Sequence, residues 1–190
     1  MKNLIYIILL MLTVVLSCDG RDKVHQTSQE VLKNNKLYES FSQKVVYIPE
    51  HYLETKNDTI LSNGFQVKLK SYTNMRESFL KKSIKNHLLL KNYYRDIETT
   101  ILIKKNEQNI VSTNINKDFF MNSNKEFHRI LKDKILQGVW LNQYASIITN
   151  TVVLEVQFME PETKNYVYYR VSFDQNGGMF INDNVEEKFS

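Results

Sequence analysis

The sequence of 190 residues has one cysteine, two prolines and five glycines. A single cysteine cannot form a disulfide within the chain, so a disulfide-stabilised scaffold is excluded. So few prolines and glycines also exclude a collagen-like repeat and a Pro/Gly-rich disordered chain. Apolar residues make up 42% of the sequence, which is enough for one hydrophobic core of ordinary domain size.

Basic side chains exceed acidic ones only slightly, with 25 Lys and Arg against 21 Asp and Glu. A nucleic-acid-binding protein usually has a dense basic stripe. The nearest equivalent here is the short cluster Lys81, Lys82 and Lys85, which is typical of a solvated surface. We therefore expect no nucleic-acid partner.

The N-terminus has the order of an export signal. Lys2 is followed by residues 4–16, which are thirteen residues without a charge, and then by Ser17 and Cys18. The run is shorter than the roughly 20 residues that a transmembrane helix needs, and it has the length of the apolar region of a signal peptide. An ordinary secretory signal or an uncleaved anchor would also fit this run.

The segment Val15-Leu16-Ser17-Cys18 resembles the lipobox of bacterial lipoproteins. The resemblance implies cleavage between Ser17 and Cys18 and attachment of diacylglycerol to the Cys18 thiol, so that the protein is anchored to the membrane by lipid. Lipoproteins that are exported to the cell surface often carry an acidic run after the cysteine. No such run follows Asp19, which favours an outer-membrane protein that faces the periplasm. A lipidated Cys18 leaves the folded part without a thiol, so thiol catalysis and cysteine-based metal sites are excluded.

We predict three segments along the chain. Residues 1–17 are the lipoprotein signal peptide, residues 18–58 hold the lipidated cysteine, a polar tether and an irregular N-terminal segment, and residues 59–190 form the folded domain. In this domain Phe65, Val67 and Leu69 alternate with polar residues, which predicts a half-buried strand. Further strands are predicted over residues 87–94, 97–104 and 110–115.

One amphipathic helix is predicted over residues 124–137. Ser123 and Glu126 have the spacing of a capping box, in which each side chain satisfies a free backbone N–H of the first turn. The apolar residues that follow share one helical face, and Gly138 is placed to end the helix. These residues are Phe127, Ile130, Leu131 and Ile135. A second, shorter helix is predicted around residues 30–41.

The C-terminal third is predicted to be a hairpin followed by one more strand. Alternating apolar residues occupy 152–158 and 167–173, with turn residues at 161–165 and at 176–178. The predicted fold class is therefore α+β, an antiparallel β-sheet of hairpins with one main amphipathic helix packed on it after the signal peptide and tether.

The sequence has no recognisable catalytic or metal-binding set. None of the four histidines stands at a metal-ligand spacing from another ligand: His25, His51, His87 and His128. The glycines are placed in the tether, in turns and at the helix end, so they cannot form a nucleophile elbow or a phosphate loop. The carboxylate pairs 160/162 and 186/187 lie in a turn and in the tail. We predict no catalytic residue, no metal and no cofactor.

Strand alternation leaves an unusual outer face on the predicted hairpin. If Tyr169 and Val171 face the core, their neighbours face away from it. The outward side chains are Tyr166, Tyr168 and Arg170 on one strand and Glu155 and Gln157 on the other. Such a face could stack sugars or bind a partner protein, since Tyr and Arg favour such contacts. In the alternative, the N-terminal half packs over the face and buries the tyrosines.

Four segments carry a further resemblance: 95–100 (RDIETT), 117–120 (KDFF), 134–139 (KILQGV) and the tyrosine-rich strand 166–174. In this order, and after the lipobox, they are similar to small lipoproteins of Bacteroidota that are classed as a domain of unknown function. The resemblance covers residues 60–182. It implies no activity and no site, because that family has none assigned.

The sequence thus favours a lipid-anchored protein of the bacterial cell envelope that acts as a binding or structural module. Its expected partners are the membrane, through the lipid anchor, and an envelope protein or glycan. Two alternatives stay open, namely a hydrolase of envelope glycans and an immunity or inhibitor lipoprotein. The missing catalytic set favours a role without catalysis.

Overall fold

The computed structural model describes residues 26–38, 43–85 and 88–182. The predicted signal peptide, Cys18 and the first part of the predicted tether lie outside the described residues. Of the residues described, 53% lie in strands and 19% in helices. These strands form three sheets, and the helices have seven residues each.

The helices of the described chain are α1 (Ser28–Asn34), α2 (Lys117–Ser123), α3 (Lys125–Leu131) and α4 (Gln143–Thr149). The first strands are β1 (Gln43–Ile48), β2 (Glu54–Ile60), β3 (Phe65–Thr73), β4 (Phe79–Lys85), β5 (Leu88–Tyr94) and β6 (Ile97–Lys105). They are followed by β7 (Gln108–Ile115), β8 (Ile135–Leu141), β9 (Val152–Met159), β10 (Tyr166–Phe173) and β11 (Met179–Asn182). Strand β1 and most of β2 therefore lie within the segment 18–58.

The described residues fall into two compact units. The small unit contains residues 26–38, 43–44, 84–85 and 88–90, and the main unit contains residues 45–83 and 91–182. In the small unit, α1 begins with a capping box. The Thr27 N–H donates to Glu30 Oε2 at 2.7 Å, and the Glu30 N–H donates to Thr27 Oγ1 at 3.4 Å. This exchange satisfies two backbone donors that a helix start leaves free.

Two four-stranded antiparallel sheets make up most of the main unit. Sheet I has the strand order β2-β3-β6-β7, and sheet II has the order β11-β10-β9-β8. A third sheet has the order β1-β5-β4. The predicted alternation of β3 is confirmed, because Phe65, Val67 and Leu69 are buried while Lys68 and Lys70 are exposed.

Sheets I and II share one hydrophobic core, and α2 and α3 add side chains to it. At its centre is an aromatic cluster of Phe120, Phe127, Phe158 and Tyr169. The ring of Phe120 lies 5.1 Å from that of Phe158 and 5.7 Å from that of Phe127, and both contacts are edge-to-face. This geometry is the one that aromatic quadrupoles favour.

The predicted fold class is wrong. The chain is mostly β with four short helices in its described part, and no main helix packs on a single sheet. The predicted helix 124–137 is only α3, which ends at Leu131, and the residues after it form β8. Residues 135–141 form a strand and not a helix because they pair with β9, and in this pairing Ile135, Leu136 and Val139 are buried. The N-cap of α3 is Asn124, whose side chain accepts from the Glu126 N–H, and not the predicted Ser123, whose hydroxyl donates to the Phe119 carbonyl.

The predicted C-terminal hairpin is confirmed. Strands β9 and β10 pair antiparallel from Val152 opposite Phe173 to Met159 opposite Tyr166. The apolar residues of one parity are buried on both strands except for Val167, which is half-buried, and β11 adds a third strand after the turn at Gly177. Gly177 has φ +82°, a backbone conformation that favours glycine.

Replacing Phe120 tests whether the aromatic cluster holds the core together. Because the ring is fully buried, Phe120→Ala should lower the free energy of unfolding by about 3–5 kcal/mol. The matched control is Phe180→Ala, since the Phe180 side chain is exposed and its loss should change stability by about 0.5 kcal/mol or less. Denaturant unfolding measures both, and equal losses in the two variants would refute a central role for Phe120.

Candidate ligand-binding face and cleft

The five side chains of the predicted binding face lie together on the outer side of sheet II. Arg170 is directly opposite Glu155, and Tyr168 is directly opposite Gln157. Tyr166 stacks on Tyr168, with ring centroids 6.4 Å apart. Together with Trp140, these residues form the polar-aromatic face.

Hydrogen bonds connect the polar side chains of this face across the strands. Gln157 Nε2 donates to the Tyr168 hydroxyl at 2.7 Å. Glu155 Oε1 accepts from Asn142 Nδ2 at 2.7 Å and from Arg170 Nη2 at 3.4 Å. The side chains are therefore held in one arrangement, which lowers the entropy lost on binding.

Much of the polar-aromatic face is accessible. Tyr166 is 39% exposed, and the side chains of Glu155 and Arg170 are 38% and 37% exposed. Tyr168 and Gln157 are half-buried. This exposure is greater than the alternative predicts, in which the N-terminal half of the chain packs over the face and buries the tyrosines. The Nε atom of Arg170 is buried and has no hydrogen-bond acceptor among the described residues.

Trp140 is a member of the face that the sequence reasoning missed. It lies opposite Glu155 in the pairing of β8 with β9 and is 49% exposed. Its indole ring lies against Gly138, since a Cβ atom at that glycine would come within 2.8 Å of Trp140 Cζ2. The sequence signal that could have revealed it is the only tryptophan of the chain two residues after a glycine, on a strand rather than a helix.

Asn142 joins the face to α4. Its Oδ1 accepts from the Ala145 N–H at 2.9 Å and so caps the helix, while its Nδ2 donates to Glu155. The helix contacts β9 through Ser146, whose hydroxyl accepts from the Val153 N–H at 2.9 Å. In this way α4 covers the end of the outer face at Val153, which is buried.

A cleft of about 530 Å³ opens beside Trp140, between β2 and β3 of sheet I and β8 of sheet II. Asn57 lies opposite the buried Leu69, and Thr55 lies opposite Ser71, so these side chains point to the core side of sheet I. The cleft is thus an open margin of the core, bounded by the edge strands β2 and β8.

The charges of β2 and β3 near the cleft are paired with one another. Lys56 Nζ and Lys70 Nζ lie 2.9 Å and 3.1 Å from the Glu54 carboxylate, and Lys68 Nζ lies 2.7 Å from that of Asp58. The Tyr52 hydroxyl also donates to Glu54 at 2.5 Å; this hydrogen bond, with those from the two lysines, lowers the pKa of Glu54 to about 2.

Asp96 and Lys117 are two partly buried groups of the main unit whose pKa values are shifted by burial. Burial raises the pKa of Asp96 from its ordinary value of 3.8 to about 6, although the Leu136 N–H donates to its carboxylate at 2.5 Å. Burial also lowers the pKa of Lys117, whose ammonium donates to the carbonyl groups of Lys132 and Lys134. Asp96 connects the start of β6 with the start of β8.

The histidines and the carboxylate pair 160/162 do not converge on a site in the described residues. His51 and His128 are exposed, and His25 and His87 lie outside the described residues. Glu160 and Glu162 form separate ion pairs with Lys134 and Lys81. Across residues 26–38, 43–85 and 88–182, no group of three or more His, Cys, Asp and Glu side chains is placed to hold a metal ion.

None of the helices in the described part of the chain has the length and apolarity of a membrane span. No protein-family model matches the chain, and a search of curated proteins finds no significant match.

Replacing Asp96 tests the cost of its burial. The folded carboxyl binds its proton more tightly than the unfolded one, so the free energy of unfolding should fall as the pH rises from about 4 to 6. Asp96→Asn still accepts the Leu136 N–H but cannot ionise, so it should lose this slope and be up to about 3 kcal/mol more stable than the parent at pH 8.

Denaturant unfolding followed by Trp140 fluorescence measures this slope in the main unit. Glu162→Gln is the matched control, because this carboxylate is exposed and is not among the charges that shift the pKa of Asp96, so its replacement should leave the slope unchanged. The same slope in the Asp96→Asn variant would contradict the assignment to Asp96.

Proposed function

We propose that this chain is a lipid-anchored protein of the bacterial envelope, facing the periplasm from the outer membrane, and that it acts as a binding module. The observation that carries the binding role is the polar-aromatic face, whose polar side chains are joined by hydrogen bonds while Tyr166 and Trp140 remain partly exposed. The anchor is supported by the lipobox-like segment that ends at Cys18.

The composition of the face supports a role in recognition. Tyr, Trp and Arg are the residues that dominate binding energy at interfaces, and here Tyr166, Trp140 and Arg170 are on one surface. Each is held by a neighbour: Tyr166 by the ring of Tyr168, Trp140 by the backbone at Gly138, and Arg170 by Glu155. A ligand would meet groups that are already in place.

We propose binding rather than hydrolysis for the cleft. Glycoside hydrolysis by the common route uses two carboxyl groups on either side of the scissile bond. The described residues that line the cleft include hydroxyl and amide side chains and one lysine, and no carboxylate.

Replacing Cys18 tests the anchor. The parent protein should incorporate labelled palmitate and remain with the membrane fraction, and Cys18→Ser should lose the label because serine has no thiol to carry the diacylglyceryl group. Ser17→Ala keeps a small residue before the cysteine and should keep the label. Retention of the label in Cys18→Ser would refute lipidation at this residue.

Site-specific photo-crosslinking in cells tests the binding role of the face. A benzophenone side chain at position 166 should give an adduct with an envelope component, while the same group at Tyr144, which is 77% exposed on α4, should not. Arg170→Ala should lower the yield at position 166 at least about fivefold, as expected for the loss of a charged hydrogen bond. Equal yields at the two positions would count against the face as the binding surface.

A further inference from the structure

We propose that the cleft beside Trp140 binds one end of a neutral oligosaccharide, whose other sugar units extend over the polar-aromatic face. This inference rests on the binding role proposed above and names the chemical class of the ligand. Four observations support it, namely the size of the cleft, its lining, the position of Trp140 and the continuity of the cleft with the face.

The cleft has the size and lining of a small-molecule site. Its volume of about 530 Å³ is within the range of roughly 300–1,000 Å³ found for ligand pockets. Apolar residues from β3, β6 and β8 and from the position just before β2 line it: Leu53, Leu69, Ile97 and Leu141. Between them are four groups able to donate and accept hydrogen bonds: Thr55, Asn57, Ser71 and Gln137. This mixture matches the alternating C–H and hydroxyl surfaces of a sugar.

The orientation of one of these groups is fixed. The Thr59 hydroxyl donates to Asn57 Oδ1 at 2.5 Å, so the oxygen of this amide is engaged and its Nδ2 is the group left to donate. The Ser71 hydroxyl is 2.8 Å from that of Thr99, which limits the directions in which Ser71 can point. These restraints favour a ligand with acceptors at defined positions.

The charge of the lining favours a neutral ligand. Lys56 is the charged residue among those that line the cleft, and its ammonium is 2.9 Å from Glu54. A charged ligand would lose its hydration without gaining a free countercharge, which is costly.

Trp140 supplies a stacking surface at the rim of the cleft, because its side chain lies on the outer side of the edge strand β8 while Val139 and Leu141 face the core side. Its ring lies against Gly138 and remains 49% exposed, so the ring is held in place while still accessible. The C–H groups of a sugar ring pack on an aromatic face in this way. Gly138 is a positioning residue here, because any side chain at this point would displace the indole.

The cleft continues into the polar-aromatic face. Gly138 lies opposite Gln157, and Gln157 lies opposite Tyr168. Two strand spacings, roughly 10 Å, therefore separate the strand that carries Trp140 from the one that carries Tyr168. A ligand longer than one sugar unit would meet a second aromatic ring along this row, with Gln157 between the two rings.

An added β-strand is the competing occupant, since β8 is an edge strand. The register of β8 shifts between Leu136 and Gly138, beside the cleft. Such a bulge twists an edge and interrupts its regular hydrogen-bonding pattern, which disfavours pairing with another strand. The geometry therefore favours a saccharide over an extended peptide.

Titration of the full-length protein in a detergent without a sugar headgroup tests the proposal. The neutral probes are tetra-N-acetylchitotetraose, cellotetraose and maltotetraose. Tetragalacturonate is the acidic counterpart. Because Trp140 is the only tryptophan, its fluorescence reports on the rim of the cleft where it meets the polar-aromatic face. At least one neutral tetramer should change the emission with saturation, and tetragalacturonate should not.

Two variants separate the cleft from general surface effects. Gly138→Ala keeps the fluorophore but displaces it, and should weaken binding of the responding tetramer at least tenfold while the protein stays folded by circular dichroism. Tyr144→Ala removes an exposed aromatic side chain on α4 and should leave the affinity unchanged.

The proposal is overturned if no neutral tetramer gives a saturable response up to about 10 mM, a concentration at which only very weak association escapes detection. A comparable response to tetragalacturonate, or binding of a peptide with the β10 sequence in place of the tetramers, would also overturn it. If crosslinking at position 166 persists without any saccharide response, the binding role stands and the saccharide assignment fails. If both are absent, both proposals fail.

Discussion

The register between β9 and β10 is the constraint on which the two faces of sheet II depend. Tyr169 opposite Val156 puts both side chains in the core, and Tyr168 opposite Gln157 puts the next pair outside. A slip of one residue would exchange the faces and expose the aromatic cluster around Phe120 to water. The core therefore determines which side chains are offered to a ligand, although none of the core side chains belongs to the face.

Where alternation along a strand was clear, the sequence was a good guide to the fold. The hairpin of β9 and β10 could be predicted because its inward residues are apolar at every second position, and the outward set followed from the same count. Strand β2 gives no such signal, since its residues are polar from Glu54 to Thr59 and nearly all of them are exposed. It is held as a strand by pairing with β3, a contact that only the folded chain shows.

The fold class failed at the segment after α3. Ile135, Leu136 and Val139 have spacings that fit one face of a helix, and they also fit a strand with a bulge between residues 136 and 138. Pairing with β9 favours the strand. Tertiary contacts commonly override a local preference for helix in this way. The same error hid Trp140, because a residue placed just beyond a helix end has no defined face. Its position depends on Glu155 and Gly138, which are brought to it by sheet pairing and by the bulge.

Asn142 has two structural tasks that a single amide group performs at once. One end of the amide caps α4 through the Ala145 N–H, and the other end donates to Glu155 on the polar-aromatic face. A substitution here by anything other than Asp, Ser or Thr would also remove a helix cap, at a cost of about 1 kcal/mol. Tyr166 and Arg170 are not tied to a helix in this way. The face can therefore diverge in specificity through the residues of β10, while position 142 is restricted by the needs of folding.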